Sequence, residues 1–167
     1  MRRRWSLEGR GVNRVRLKDV CEKIGSGATP RGGESVYISS GVALIRSQNV
    51  YNDRFHWHGL AYIGPGHAAE LDGVAVQAGD VLLNITGDSV ARVNRAPAEV
   101  LPARVNQHVA VIRPRADALD SRYLHYVLAS PLMQGLLLGF ASSGGTRQAL
   151  TKGMIEQLEI AVPDLAD

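Results

Sequence analysis

RVNQHVAVIRPRADALDSRYLHYVLAS, residues 104–130, changes its hydrophobic period part-way along. In the first half Val109, Val111 and Arg113 alternate with their neighbours, the period of two expected of a strand. In the second half Tyr123, Leu124, Val127 and Leu128 share one face at helical spacing, and Asp120 or Ser121 stands where a helix cap belongs. A strand that gives way to a helix, with no second strand interposed, predicts elements that segregate along the chain rather than alternate.

The flanking sequence extends that division. Upstream, VALIRSQNV (residues 42–50) has the β-branched content of a strand, with Arg46, Gln48 and Asn49 at its exit. Leu60–Ile63, the run from Gly79–Asp80 to Ile85, and VARVNR (90–95) read as further short strands, and RVNQHVAVIRP (104–114) as one more. Pro65 is set for the first position of a small helix. A helix is predicted over Leu17–Ile24, stopped by Gly25, with Cys21 on its apolar side. Downstream, Pro131 opens a very apolar helix through Leu132–Phe140, and Thr151 leads a short helix into the closing strand LEIAVP, residues 158–163. The predicted class is α+β: a small, mostly antiparallel twisted sheet with helices packed at one side.

Composition narrows the function classes. The chain has 167 residues, enough for one domain with its own core, and 21% charged against 45% hydrophobic residues is ordinary for a globular protein. No apolar run approaches the roughly 20 residues that cross a bilayer. The basic start MRRRW is not followed by an apolar signal segment, and the single Cys21 suits a reducing compartment, so a cytoplasmic location is expected. Charge is uneven. Residues 1–18 carry a net +6 and the rest a net −3, so residues 1–14 read as a basic flexible arm and any polyanion site on the body must be a local patch.

Catalytic patterns fail one after another. GSGATP departs from a dinucleotide fingerprint at Pro30, and GGTRQALTKG lacks the G-K-S/T of a phosphate loop. His56, His58 and His67 lie close in sequence, but no second cysteine and no H-E-x-x-H spacing supports a metal. No Asn/Asp-Pro-Pro-aromatic run for base methylation and no carboxylate cluster for nuclease chemistry is present. No catalytic residue, cofactor or metal ligand is assigned.

Five polar clusters beside glycines or turns stand out instead: Thr29 and Arg31; Arg46, Gln48 and Asn49; Asn84 and Thr86; Asn106, Gln107 and His108; and Thr146, Arg147 and Gln148. Arginine pairs bidentately with guanine and Asn or Gln with adenine, while backbone N–H groups near glycine approach phosphates. The same residue types also satisfy turns, and for any one of them that is the commoner role.

RLKDVCEKIGSGATPRGG, ALIRSQNVY, GDVLLNITGDSVARV, RVNQHVAVIRP, YLHYVLASPLMQ and GGTRQALTKGMIEQLEIAVP follow one another in this order. Together they resemble a target recognition domain of the specificity (S) subunit of Type I restriction–modification systems, from about Val15 to Pro163. The resemblance implies a non-catalytic module, residues 15–167, that binds double-stranded DNA and reads one half of a bipartite target. It also implies methyltransferase (M) subunits acting on adenine with S-adenosylmethionine and ATP-dependent restriction (R) subunits as partners, which would carry the chemistry. The family's closing strand leads into a long helix, whereas this sequence stops at VPDLAD; the spacer helix and second recognition domain are therefore read as absent. An excised domain, a truncated subunit and a free-standing relative all remain open.

Within that reading, Arg31, Arg46, Gln48, Asn49, Arg54 and Arg92 are the first choices for base or groove contact. Thr146, Arg147, Gln148 and Lys152 are expected to face DNA from the glycine-rich loop, or else to tie the last helix to the sheet. The alternative function is a protein-interaction module that binds M or S subunits and modulates their assembly, using the apolar face of LMQGLLLGF.

Overall fold

A computed structural model describes residues 12–145 and 147–163. Residues 1–11, Thr146 and 164–167 lie outside the described residues, and with them most of the expected arm.

Nine strands and five helices are present among the described residues: β1 (Val12–Arg16), α1 (Leu17–Val20), β2 (Cys21–Ser26), β3 (Val42–Ile45), β4 (Ala61–Ile63), α2 (Pro65–Glu70), β5 (Val81–Asn84), β6 (Val93–Arg95), β7 (Ala103–Val105), β8 (Val109–Pro114), α3 (Ser121–Ala129), α4 (Pro131–Ser142), α5 (Lys152–Gln157) and β9 (Glu159–Pro163). The class is α+β and the pairing mostly antiparallel, as the sequence predicts. The strands divide into three sheets: β1–β9, β2–β8–β5–β6 and β4–β3–β7, and among the described residues only β3 and β7 run parallel.

The four-stranded sheet lies between two cores, and its strands show why. Val81 and Leu83 of β5, with Ala110 and Ile112 of β8, face a core shared with Leu124, Leu128, Leu137 and Ile155 of the helices. Leu82, Val109 and Val111 face the opposite core, which they share with Leu44, Ile45 and Ile63 of the three-stranded sheet. A strand covered on both faces is apolar at successive positions, not alternate ones. Each fully buried Leu, Ile or Val contributes about 1.5–3 kcal/mol relative to exposure. Arg113 continues the Val109–Val111 face, where Asp80 receives its guanidinium at 2.7 and 2.8 Å.

Helix starts follow local chemistry. Asp120 caps α3, its Oδ1 accepting from Arg122 N–H at 2.7 Å and Tyr123 N–H at 3.2 Å, so Asp120 fills the role left open between it and Ser121. Thr151 Oγ1 accepts from Met154 N–H at 3.1 Å at the head of α5, and Pro131 occupies the first turn of α4. α3 and α4 meet at 72°, and no single helix among the described residues is long and apolar enough to cross a membrane.

Three expectations need correction. The predicted helix Leu17–Ile24 is one turn, Leu17–Val20, and Cys21–Ser26 is a strand paired with β8, because inter-strand bonds and Ile24 burial outweigh a four-residue helical spacing. Cys21 is therefore half-buried at the start of a strand, where desolvation pushes its thiol up to about 12 and leaves it without thiolate character near neutrality. The single strand read over residues 104–114 is two, β7 and β8, in different sheets, broken at Asn106–His108. Val12, Asn13 and Arg14, placed in the arm by sequence, belong to β1 and pair with β9.

Candidate functional site

Strand directions gather the polar loops. β2 and β5 leave the four-stranded sheet at the end where β8 enters it, since Ser26 pairs with Ala110 and Asn84 with Val109. β3 leaves beside the C-terminal end of its parallel partner β7, with Ile45 opposite Val105. Gly27 brings the β2 exit against the β7–β8 turn: its N–H donates to the Asn106 carbonyl at 3.0 Å, and a Cβ there would stand 1.7 Å from the Val105 oxygen. The glycine-rich loop joins the same end through an isolated bridge between Thr86 and Ala149, the Gly87 N–H on the Gln148 carbonyl at 3.2 Å, and the Leu150 N–H on the Ile85 carbonyl at 2.8 Å. Loops centred near residues 29, 48, 86, 107 and 148 thus meet at one end of the molecule.

Two adjoining hollows occupy that end. One, of about 370 Å³, is lined by Tyr51, Thr86, Gly87, Asp88, Ser89 and Arg92; the other, of about 290 Å³, by Thr29, Pro30, Glu34, Tyr37, Arg46, Asn106 and Gln107, among others. Ser47, Gln48 and His108 line both, so the surface is continuous. Thr86 Oγ1 and His108 Nδ1 are hydrogen-bonded across it. Glu34 and Asp88 set limits on its positive character.

The predicted residues have different fates here. Gln48 is exposed at the shared wall, and Arg92 lies over the Tyr51 ring, 4.3 Å from its centre. Arg46 is mostly engaged: Nη2 donates to the Gly59 carbonyl at 2.6 Å, the guanidinium lies 5.3 Å from the Tyr37 ring centre, Glu34 is 3.9 Å away, and Nε is buried with no hydrogen-bond partner. Asn49 is 0% exposed, accepting from the Arg46 N–H at 3.0 Å and donating to the His56 carbonyl at 2.9 Å. It holds a turn, and the expectation of base contact does not apply to it. Arg31, Arg54, Arg147 and Lys152 are exposed but line neither hollow, and Arg54 bonds His56 Nε2 at 3.3 Å beside Asp53. Gln148 is exposed and contributes its carbonyl to Gly87, while Thr146 lies outside the described residues.

Sequence reasoning passed over Tyr51, whose ring stacks on His56 at 3.8 Å while also carrying Arg92. The signal was present in the mixed aromatic–polar run YNDRFHWHG at residues 51–59.

A family model described as the Type I restriction modification DNA specificity domain matches residues 10–167. The chain belongs to this family. Solved structures carry the same fold. A chain from the structure describing complex assembly and conformational transition of the type I R-M system aligns with a TM-score of 0.66 at 23% identity, over 92% of this chain and 34% of its own. The HsdS subunit from Thermoanaerobacter tengcongensis aligns at 0.63 and 24% identity, over 92% and 33%. The S subunit of a Type-I restriction-modification system from M. genitalium aligns at 0.62 and 12% identity, over 95% and 36%. This specificity domain therefore spans about a third of the length of the chains it matches.

A second feature of the specificity domain is apolar. A groove of about 910 Å³ runs between α3, α4, α5 and the β1–β9 pair, with Val127, Leu132, Leu136, Phe140 and Met154 among its walls. Met133, Leu137 and Ala141 face the core, as helical spacing requires, whereas Leu132 is 86% exposed. The segment LMQGLLLGF is thus core on one side and open surface on the other.

Proposed function

We propose that this domain binds double-stranded DNA sequence-specifically through its polar end, reading one half of a bipartite target for a Type I restriction–modification complex. The observation that carries the reading is the meeting of loops spread from Thr29 to His108, rich in Gln, Asn, Thr, Arg and His, on one continuous concave surface. Gln48 is suited to an adenine edge and Arg92 to a guanine edge or a phosphate. The exposed Arg31, Arg54 and Arg147, close in sequence to residues of that end, and Lys152, which opens α5, are assigned to the backbone, where contacts fix register without reading sequence. Methylation and ATP-dependent cleavage are assigned to partner M and R subunits, and the compartment to the cytoplasm.

Selection of bound duplexes from a random pool tests the reading. Enrichment of a short motif is expected, with each wrong base pair weakening binding by roughly 1–3 kcal/mol. Affinity should also fall steeply with salt as counterions are released. Absence of any enriched motif removes the reading.

The apolar groove supports a second reading, a module that docks on M or S subunits. Capture of the cognate methyltransferase subunit by a chain that selects no DNA motif favours it.

A further inference from the structure

The loop from Tyr51 to Gly59 is fastened on several sides and open at its middle. His56 N–H donates to the Asn49 carbonyl at 2.8 Å, and Asn49 Nδ2 returns a bond to the His56 carbonyl at 2.9 Å. Arg46 Nη2 holds the Gly59 carbonyl at 2.6 Å, and Leu60 N–H holds the Trp57 carbonyl at 3.1 Å. Phe55 meets Trp57 edge-on, with ring centres 5.0 Å apart and planes at 70°. With its backbone tied down and one ring edge supported, the indole is nevertheless 47% exposed.

Burial would have been the ordinary use of so large an apolar ring. An aromatic held on a braced loop, with only two side-chain torsions, loses little further freedom when a partner covers it. Position identifies the partner. Gly59, two residues on, lies against Gln48, where a Cβ would stand 2.8 Å from Nε2. Gln48 is shared by both polar hollows, and His56, next to Trp57 in sequence, stacks on Tyr51 of one of them, so the loop that carries Trp57 adjoins the surface assigned to DNA.

We propose that Trp57 stacks into an opened base step of the bound duplex, next to the base pair that faces Gln48, and selects for a pyrimidine–purine step there. The inference rests on the reading of the polar end as a DNA surface and adds a readout by deformability to readout by hydrogen bonds. Pyrimidine–purine steps unstack most easily, so they yield to a wedge at least cost. Apolar side chains inserted between steps kink the duplex, and stacking on the ring returns part of the lost base stacking.

The full chain carrying Trp5→Phe leaves Trp57 as its only tryptophan. Its emission is followed while duplex selected by the wild-type chain is added, alongside binding by Trp57→Phe and Trp57→Ala and the melting temperature of each. Expected are strong quenching with the same midpoint as binding and near-wild-type affinity for Trp57→Phe. Trp57→Ala should bind roughly tenfold to a hundredfold more weakly, melt unchanged, and lose its preference at one pyrimidine–purine step. Unchanged emission with undiminished Trp57→Ala binding, on a duplex the wild-type chain does select, overturns the inference and leaves the DNA reading standing. If the wild-type chain selects no sequence, both fall. Quenching by a methyltransferase subunit and not by DNA overturns the inference in favour of a protein contact.

Discussion

Asn84 Nδ2 donates to the Ser47 carbonyl at 2.9 Å across 37 residues of sequence, fastening the end of β5 to the turn that presents Gln48. The same amide reaches Ser89 Oγ at 3.2 Å, in the turn that carries Arg92. One fully buried side chain thus sets the spacing of the two residues best placed at the polar hollows. The proposed base readout would depend on such spacing, because a bidentate pairing tolerates little displacement.

Asn84→Ala is expected to destabilise the fold by about 1–3 kcal/mol, since the Ser47 carbonyl loses its donor inside the protein. Urea unfolding measures that loss. DNA affinity should fall as well, although Asn84 itself is out of reach of any ligand. A variant with wild-type stability and wild-type affinity would remove Asn84 from this role.

Asn84 also marks where legibility in the sequence stopped. Asn49, Asn84 and Gln48 look alike in sequence, each an amide beside a strand end. Two are buried and hydrogen-bonded to backbone, Asn49 to His56 across its own turn and Asn84 to Ser47 37 residues away, and one is exposed at the surface, a distinction that folding makes and residue type does not. The strand-then-helix order, a cap at Asp120 or Ser121, the Thr151 helix start and the α+β class were readable, because capping and periodicity are local. The break at Asn106–His108 was not. In RVNQHVAVIRP the apolar Val105, Val109 and Val111 stay in phase at odd positions across Asn106–His108, so the strand period runs through a turn that sends β7 and β8 into different sheets. CEKI at residues 21–24 misled in the opposite sense, a helical-looking run claimed by a neighbouring strand.

Arg92 and Tyr51 give a prediction about binding alone. With its guanidinium 4.3 Å from the Tyr51 ring centre, Arg92 is oriented by a cation–π contact of about 0.5–2 kcal/mol, both partners being half-buried. Arg92→Ala should weaken specific-duplex binding by about 1–3 kcal/mol and relax discrimination at one base pair if it reads guanine. If it holds a phosphate instead, the loss is uniform across sequences and the salt slope falls by about 1. Arg92→Lys should recover the phosphate role and not the guanine role, because lysine lacks the planar fork. Measuring affinity against salt on matched and mismatched duplexes separates the two, and no change in either quantity denies Arg92 a contact.

Far from the hollows, the Arg113–Asp80 pair gives a stability prediction. Asp80 is 2% exposed and accepts Arg113 Nε at 2.8 Å, Arg113 Nη2 at 2.7 Å and the Gln77 N–H at 2.8 Å. The hydrogen bonds to Asp80 raise the Arg113 pKa above its already high ordinary value, outweighing the lowering effect of burial. A raised base contributes stability wherever the unfolded chain is also protonated, so Arg113 adds no pH dependence near neutrality. Arg113→Ala strands a buried carboxylate and should lose about 3–5 kcal/mol, while Arg113→Met with Asp80→Asn should lose less. Denaturant midpoints of the two variants test the order, and equal losses would show that side-chain volume matters more than charge.

His125, on α3, supplies the pH dependence that Arg113 does not. Its Nε2 is buried without a hydrogen-bond partner. Desolvation holds its pKa below the ordinary 6.5, with nearby Arg95 acting in the same direction and backbone groups of Asn52 and Val93 partly opposing. Above that ordinary value the imidazole is neutral in both states and its contribution is fully present. As pH falls through 6.5 the unfolded chain takes up the proton first, so stability drops until the folded chain protonates too. His125→Gln should flatten the decline in unfolding midpoint between about pH 7.5 and about pH 5 relative to the wild-type chain. Parallel declines in the two proteins would assign the acid sensitivity to other groups. A steeper decline in the variant would reverse the sign argued for His125.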